Sequence, residues 1–153
     1  MSMTESILKA LMRLFAIVTQ IHSEDKLALC RTIIASYLRQ LVSPAKVNQY
    51  LIMYDFYHSS LREREIKTGE KQMALFSVKA MIISENINKV LDKKQKLLVL
   101  MQLLEILNIS ERTSEESIDF VRTISLAFKF DDNVFRNCKS FILDNIYSII
   151  RKD

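Results

Sequence analysis

One glycine, Gly69, and one proline, Pro44, punctuate a chain of 153 residues. That scarcity argues against an all-β fold, because tight hairpins draw on Gly, Pro and Asn-Gly pairs. Neither GxGxxG nor GxxxxGKS/T can be written with a lone glycine, so glycine-rich phosphate loops are excluded. Cysteine and histidine are equally sparse, with two of each. Cys30 and Cys138 have no CxxC neighbour, and His22 and His58 stand at no metal-finger spacing from them. Both cysteines fall in apolar helical stretches, so buried reduced thiols are expected and no disulfide framework is implied, which fits the cytoplasm. The richest apolar run, Leu97 to Leu107, holds Gln102 and Glu105 and is shorter than the roughly 20 residues a membrane span needs. Lys9 and Arg13 interrupt the first apolar stretch, and no small-residue cleavage site follows, so no secretory signal is read.

What is present is helical periodicity. Hydrophobic residues make up 49% of the chain and charged residues 26%, enough for a core and a solvated surface. The expected fold is all-α, a single compact bundle of about seven helices. Ile7, Leu8, Leu11, Leu14, Phe15 and Val18 predict a first helix from about Met3 to Ile21, capped by Ser2 or Thr4. Ser23 is the expected cap of a second helix carrying Leu27, Cys30, Ile34, Leu38 and Leu41. Ser43-Pro44 opens a third, with Val47, Tyr50, Leu51, Tyr54, Tyr57 and Leu61 inward. The segment His58 to Glu70 is the candidate for a mobile connection, although Glu and Arg also favour extension of the helix into it. A fourth helix, about Glu70 to Leu91, turns Met73, Phe76, Ala80, Ile83, Ile87 and Val90 inward. Asp92 caps a fifth with Leu97, Leu100, Met101, Leu104 and Leu107 as its stripe. Ser114 caps a sixth, with Ile118, Val121, Ile124, Leu126 and Phe128 on the core side. Asp131 or Asp132 starts a seventh, carrying Val134, Phe135, Cys138, Phe141, Ile142, Ile146 and Ile149.

The halves show internal similarity. Leu8-x-x-Leu11-Met12-Arg13-Leu14-Phe15-x-Ile17 matches Leu97-x-x-Leu100-Met101-Gln102-Leu103-Leu104-x-Ile106, and Arg31-Thr32-Ile33 matches Arg122-Thr123-Ile124 after a short slip. Two three-helix repeats joined by a central helix are expected: residues 3–61, then a connection and helix over 62–91, then 92–150. Two such copies can bury their apolar faces against each other.

The net charge of +4 is uneven: +2 over residues 1–61, +4 over 62–96 and −2 over 97–153. Arg62, Arg64, Lys67 and Lys71 flank the connection, and Lys89, Lys93, Lys94 and Lys96 cluster at the next junction. Converging on one face, they would attract phosphates or another anionic surface. Interleaved Glu63, Glu65, Glu70 and Asp92 weaken that reading, and a nucleic-acid binder carries a denser stripe. Acidic loops are the second candidate. Glu111, Glu115 and Glu116, with Asp119 a turn on, suit a hard cation such as Ca²⁺ or Mg²⁺. Such acids also sit favourably in the first turn of a helix with no ligand at all. Cysteine catalysis lacks a third group and a thiolate-stabilising environment. Tyr50, Tyr54 and Tyr57 share one face of the third helix; Phe56 points elsewhere, onto the fourth helix or toward a partner.

The run Leu103-Leu104-Glu105-Ile106-Leu107-Asn108-Ile109-Ser110-Glu111-Arg112-Thr113-Ser114-Glu115-Glu116, followed by Phe120-Val121-Arg122-Thr123-Ile124 and by Ala127-Phe128-Lys129-Phe130-Asp131-Asp132-Asn133-Val134-Phe135, resembles the TerB-like (tellurite-resistance B) helical family. The resemblance implies an all-α domain with a doubled helical unit, and acidic loops implicated in metal binding. Family members carry Asp-Gly in those loops; here Ile21-His22-Ser23-Glu24-Asp25 and Asn108-Ile109-Ser110-Glu111-Arg112 lack it. Glu116 most nearly matches the family's helix Glu, with no counterpart near Leu29 or Cys30. Metal binding is therefore expected to be lost and the scaffold retained. The start, Ser6 to Ile17, also resembles amino-terminal helical segments of bacterial ATP-binding cassette proteins, in which a TerB-like domain precedes the nucleotide-binding part.

The expectation is thus a non-catalytic helical interaction or regulatory module with no cofactor, the amino-terminal part of a larger protein, acting on that protein or on a separate protein partner. Membrane association would come only through a larger complex. The alternative is a metal-binding stress-response domain using the acidic loops.

Overall fold

A computed structural model describes residues 3–68, 73–110 and 113–144. Every regular element among the described residues is helical: α1 (Glu5–Val18), α2 (Leu27–Arg39), α3 (Pro44–Thr68), α4 (Met73–Asn88), α5 (Lys93–Leu107), α6 (Glu115–Ala127) and α7 (Asp132–Leu143). Two 3-10 turns, Thr19–Ile21 and Glu24–Lys26, join α1 to α2. The architecture is an all-α bundle around one core to which all seven helices contribute.

Side chains capable of holding orphan N–H groups set several starts. Thr4 Oγ1 accepts from Ile7 N at 3.3 Å, and Ser114 Oγ from Ser117 N at 3.1 Å. At α5, Asp92 Oδ1 accepts from Gln95 N at 2.8 Å while Gln95 Oε1 accepts from Asp92 N at 3.0 Å, a reciprocal box. The box offsets the poor placement of Lys93 and Lys94 at the positive end of the helix dipole. Ser23 departs from expectation. Its hydroxyl donates to the Asp25 carboxylate instead of capping a backbone N–H, and a 3-10 turn precedes α2.

α1 is the axis. From Leu11 to Val18 only Arg13 is exposed, and α3 and α4 both pack on it. Elsewhere α3 packs on α2, α4 on α6, α2 on α5, and α5 and α6 on α7. The matched arginines of the two halves both reach the helix that follows. Arg31 Nε lies 3.2 Å from Asp55 Oδ1 on α3, and Arg122 Nε lies 3.6 Å from Asp132 Oδ1 on α7. Arg122 also lies over the Phe135 ring, 5.1 Å from its centroid.

Several boundaries and faces differ from the sequence reading. His58 to Thr68 is not a mobile connection but the continuation of α3, because nothing before Gly69 breaks a helix and Arg62 is tied to the α1–α2 junction. The rest of the expected connection, residues 69–72, lies outside the described residues, as do Ile146 and Ile149. In the turn after α4, Leu91 is buried and Val90 exposed. On α6, Leu126 is 54% exposed and Phe120 takes the core position; on α7, Phe141 is 57% exposed beside buried Ile142. The swaps at Val90 and Leu91 and at Phe141 and Ile142 are between adjacent residues, the error expected where apolar neighbours compete for one face, whereas Phe120 lies nearly two turns before Leu126.

The shortage of glycine leaves a mark after α6. Lys129 adopts φ 63°, the left-handed conformation usually given to glycine. Phe130 N donates to Ser125 O at 3.2 Å and Lys129 N to Leu126 O at 2.9 Å, a Schellman closure with Phe130 buried against the core. A β-carbon here costs about 1 kcal/mol or more. Lys129→Gly is therefore expected to raise stability by about 1 kcal/mol in urea unfolding, and Lys129→Ala to give no such gain. In the same assay Leu104→Ala should cost about 2–5 kcal/mol and Leu126→Ala no more than about 0.5 kcal/mol, since only the first is enclosed.

Candidate functional site

Where α3 and α4 face each other over α1 there is an open groove of about 430 Å³. Buried Ile17 of α1 lies at its floor, and exposed Arg13, one turn earlier, also lines it. Phe56, Tyr57, Leu61 and Arg64 line the α3 side, with Ser60 between them; Lys79, Ile82 and Ile83 line the α4 side. The wall residues share helical spacing: Phe56, Ser60 and Arg64 lie one turn apart, as do Lys79 and Ile83. Among the described residues no carboxylate lines the groove. The Arg13 guanidinium lies over the Tyr57 ring, 5.2 Å from its centroid, and so is held at the mouth of the groove. Phe56 and Ile82 are 67% and 52% exposed. Phe56 thus neither packs away on α4 nor stands alone: its ring is edge-on to Tyr57 at 6.0 Å and its body forms a wall.

The apolar surface continues beyond the groove. Ile52 is one turn before Phe56 on α3, and Leu75 and Val78 precede Ile82 by about two turns and one turn on α4; all three are exposed. α4 is therefore apolar on both sides, with Phe76, Ala80 and Ile87 against the core and Leu75, Val78 and Ile82 outside. A helix apolar all round calls for cover on all sides. Periodicity alone marked the inward face and passed over the outward one.

Beneath the α3 wall lies a buried polar seam. Tyr54 Oη donates to Thr19 Oγ1 at 3.0 Å, and Thr19 Oγ1 donates to Phe15 O at 2.8 Å. Gln20 Nε2 donates to Ala16 O at 3.0 Å and to His58 O at 3.1 Å. His22 Nε2 lies 2.7 Å from Ile106 O, which can only accept, so that nitrogen carries the proton. Its Nδ1 then accepts from Ser110 Oγ at 3.2 Å, which joins the loop after α1 to the loop after α5. Arg62 Nη2 donates to His22 O at 3.0 Å and faces His58 Nε2 at 3.5 Å. On the outer side of the seam, a second hollow of about 260 Å³ is lined by Arg31, Tyr54, Asp55, His58 and Ser59, and the Arg31–Asp55 pair occupies its rim.

The residues singled out from sequence are dispersed by this fold. Arg62 turns inward to the seam. Arg64 joins the groove. Lys67 is in the last turn of α3, its side chain outside the described residues. Lys96 is also engaged internally: Nζ donates to Asn88 Oδ1 at 2.8 Å and to Phe128 O at 3.1 Å, and lies 5.7 Å from the Phe130 ring centroid. Lys93 and Lys94 are exposed at the start of α5. Glu115 and Glu116 are exposed in the first turn of α6, where the dipole favours them, and Glu111 lies outside the described residues. Among the described residues no three His, Cys, Asp or Glu side chains group so as to hold a metal ion. Burial pushes the Cys30 thiol up to about 12 and raises Cys138 as well, so neither is a ready thiolate. Among the described residues no helix is long and apolar enough to cross a membrane.

Burial also governs the two histidines. His22 is held below its ordinary 6.5 first by desolvation and also by Lys26, against the Ile106 hydrogen bond and Asp25. His58 is lowered first by desolvation and then by the Arg62 charge, against Glu24, Asp55 and a hydrogen bond to the Thr19 backbone. A depressed folded-state value means that the unfolded chain binds the proton more readily, so acid favours unfolding. The stability held by these neutral rings is full above about pH 6.5 and falls as pH drops from there through the lowered folded-state values. Urea midpoints measured from pH 7.5 down to 5 should decline, and His22→Gln with His58→Gln should flatten that decline; equal slopes would refute the assignment.

No family model matches the chain, no curated protein matches it, and no solved structure matches it.

Proposed function

We propose that this chain is a non-catalytic helical interaction module, a TerB-like scaffold whose working surface is the face made by α3 and α4. It acts on other domains of a longer polypeptide, one with an ATP-binding cassette part, or on a separate protein. The observation that carries this reading is the continuous apolar strip along that face, with Phe56 and Ile82 open to solvent on both sides of the groove. Exposed apolar patches of this kind mark interaction sites or binding grooves on soluble domains. The ring nitrogens of His22 and His58 are engaged in the seam and the Cys30 thiol is desolvated, which supports positioning over catalysis. Of the acids in the metal-binding alternative, Glu115 and Glu116 are accounted for by the first turn of α6, and Glu111 lies outside the described residues.

A photo-activatable amino acid placed in the source cell at position 56 or 82, and at exposed Asn137 on α7 as control, tests the assignment. Cross-linking to a defined protein, or to a segment of the same polypeptide, is expected at 56 and 82 and not at 137. Equal yields at all three positions would remove the α3–α4 face from consideration.

A further inference from the structure

We propose that the groove between α3 and α4 receives an acidic amphipathic helix. The inference rests on the interaction-module reading and names the chemistry of its partner. Shape comes first. Two neighbouring helices form the walls and α1 forms the floor, so a further helix laid along them would complete a local layer, as helix-in-groove recognition does elsewhere. The strip from Ile52 to Arg64 takes in thirteen residues of α3, about 18 Å from end to end at 1.5 Å per step. A partner of three to four turns matches that length. Its apolar anchors, repeating every three or four residues, would meet Phe56, Ile82 and the half-buried Ile83 and Leu61.

Charge then selects the sign of the partner. Arg13, Arg64 and Lys79 stand around the groove, one on each of the three helices that build it. Glu63, beside Arg64, and Glu85, six residues after Lys79, are exposed and lie outside the lining, while the side chain of Glu65 is outside the described residues. Neither Arg13 nor Lys79 forms an ion pair among the described residues. Carboxylates flanking the partner's apolar stripe would meet these cations at the rim, where complementarity governs encounter and selectivity more than net affinity. Basic helices would be repelled by Arg13 and Lys79. An acyl chain with an anionic head fits less well. The groove is open along its length and its apolar walls run on past it through Ile52, Val78 and Leu75, which suits a rod lying across a surface more than a chain that must be enclosed.

The test uses the full chain and a fluorescein-labelled synthetic helical peptide of about 15 residues, about 22 Å long, with leucine on one face and glutamate beside it. Fluorescence anisotropy should show saturable binding. A peptide with lysine replacing each glutamate should bind at least about tenfold more weakly. Raising salt from low to physiological strength should weaken the acidic peptide severalfold, because the charged contacts lie at an exposed rim. Lys79→Glu and Ile82→Asp, each checked for unchanged helical circular dichroism, should weaken it about tenfold or more. Lys79→Gln is the milder replacement should either variant unfold, and a smaller loss in the same direction is expected. Equal affinity for the two peptides, or no response to Lys79 replacement, would overturn the proposal. So would sedimentation with phosphatidylglycerol vesicles in the absence of peptide binding, which assigns the face to a lipid surface. Self-association lost in Ile82→Asp, again without peptide binding, would assign it to a second copy. In each of these cases strong cross-linking at positions 56 and 82 would keep the interaction module and discard only the acidic helix.

Discussion

The burial of α1 on nearly every side is the constraint from which the rest of the structure follows. Leu11, Met12, Leu14, Phe15 and Ala16 are all fully enclosed. A helix sunk so deeply must end inside the protein, and its last carbonyls still need donors. Thr19 and Gln20 supply them from their own side chains, to Phe15 O and Ala16 O. Those side chains are then themselves buried polar groups with further bonds to satisfy. Tyr54 and the His58 carbonyl do so from α3, which fixes the rotation and register of α3 against α1. His22 extends the seam to Ile106 and Ser110, which fixes the end of α5. One burial problem thus sets the relative placement of three helices. The seam uses a small set of polar residues in a core otherwise built from aliphatic and aromatic side chains.

The same seam explains which parts of the fold could be read from sequence. Helix number, order and most inward faces follow from periodicity, because Leu100, Leu104 and Leu107, or Ile34 and Leu38, recur at a spacing that only one secondary structure satisfies. Caps with a local partner, such as Asp92 with Gln95 and Ser114 with Ser117, are equally legible, since both partners lie within four residues. The length of α3 was legible only as one of two readings, since the propensity of Glu and Arg favoured extension while the charge run suggested a connection. The charge run at Arg62 to Glu65 looks like a solvated connection until Arg62 is seen donating to a carbonyl forty residues away. Lys96 carries the same lesson. A lysine in a basic cluster reads as surface charge, yet its ammonium closes the gap between the end of α4 and the α6–α7 turn. Long-range polar contacts leave no periodic trace.

The candidate site was legible only in pieces. Phe56 stood out because it could not share a face with Tyr50, Tyr54 and Tyr57, and Arg64 because it lay in the basic middle segment. Lys79, Ile82 and Arg13 carried no signal as site residues, since each looks ordinary on its own helix. Their meaning comes from the third dimension, in which α1 places Arg13 between the walls. The one available signal was α4 itself. Leu75, Val78, Met81 and Ile82 break the amphipathic pattern that α1, α2, α6 and α7 keep, and a helix that departs from it is asking for two partners.

Continuity of α3 is what turns that departure into a groove. Had the helix ended near Leu61, its last turn would have frayed beside α4, and the exposed residues of α4 would have faced a loop able to fold over them. Extension through Thr68 instead keeps a helical wall on one side, with α4 on the other. Helical walls lose little freedom when a partner binds, so the gain from covering Phe56 and Ile82 is not spent on ordering the receptor. Arg13 and Lys79 have a second consequence at this face. Like charges around an apolar strip oppose the close approach of an identical strip from another copy of the chain, while leaving an acidic partner attracted. The acidic helix proposed above would thus be favoured over a second copy of the chain by the charges of Arg13 and Lys79.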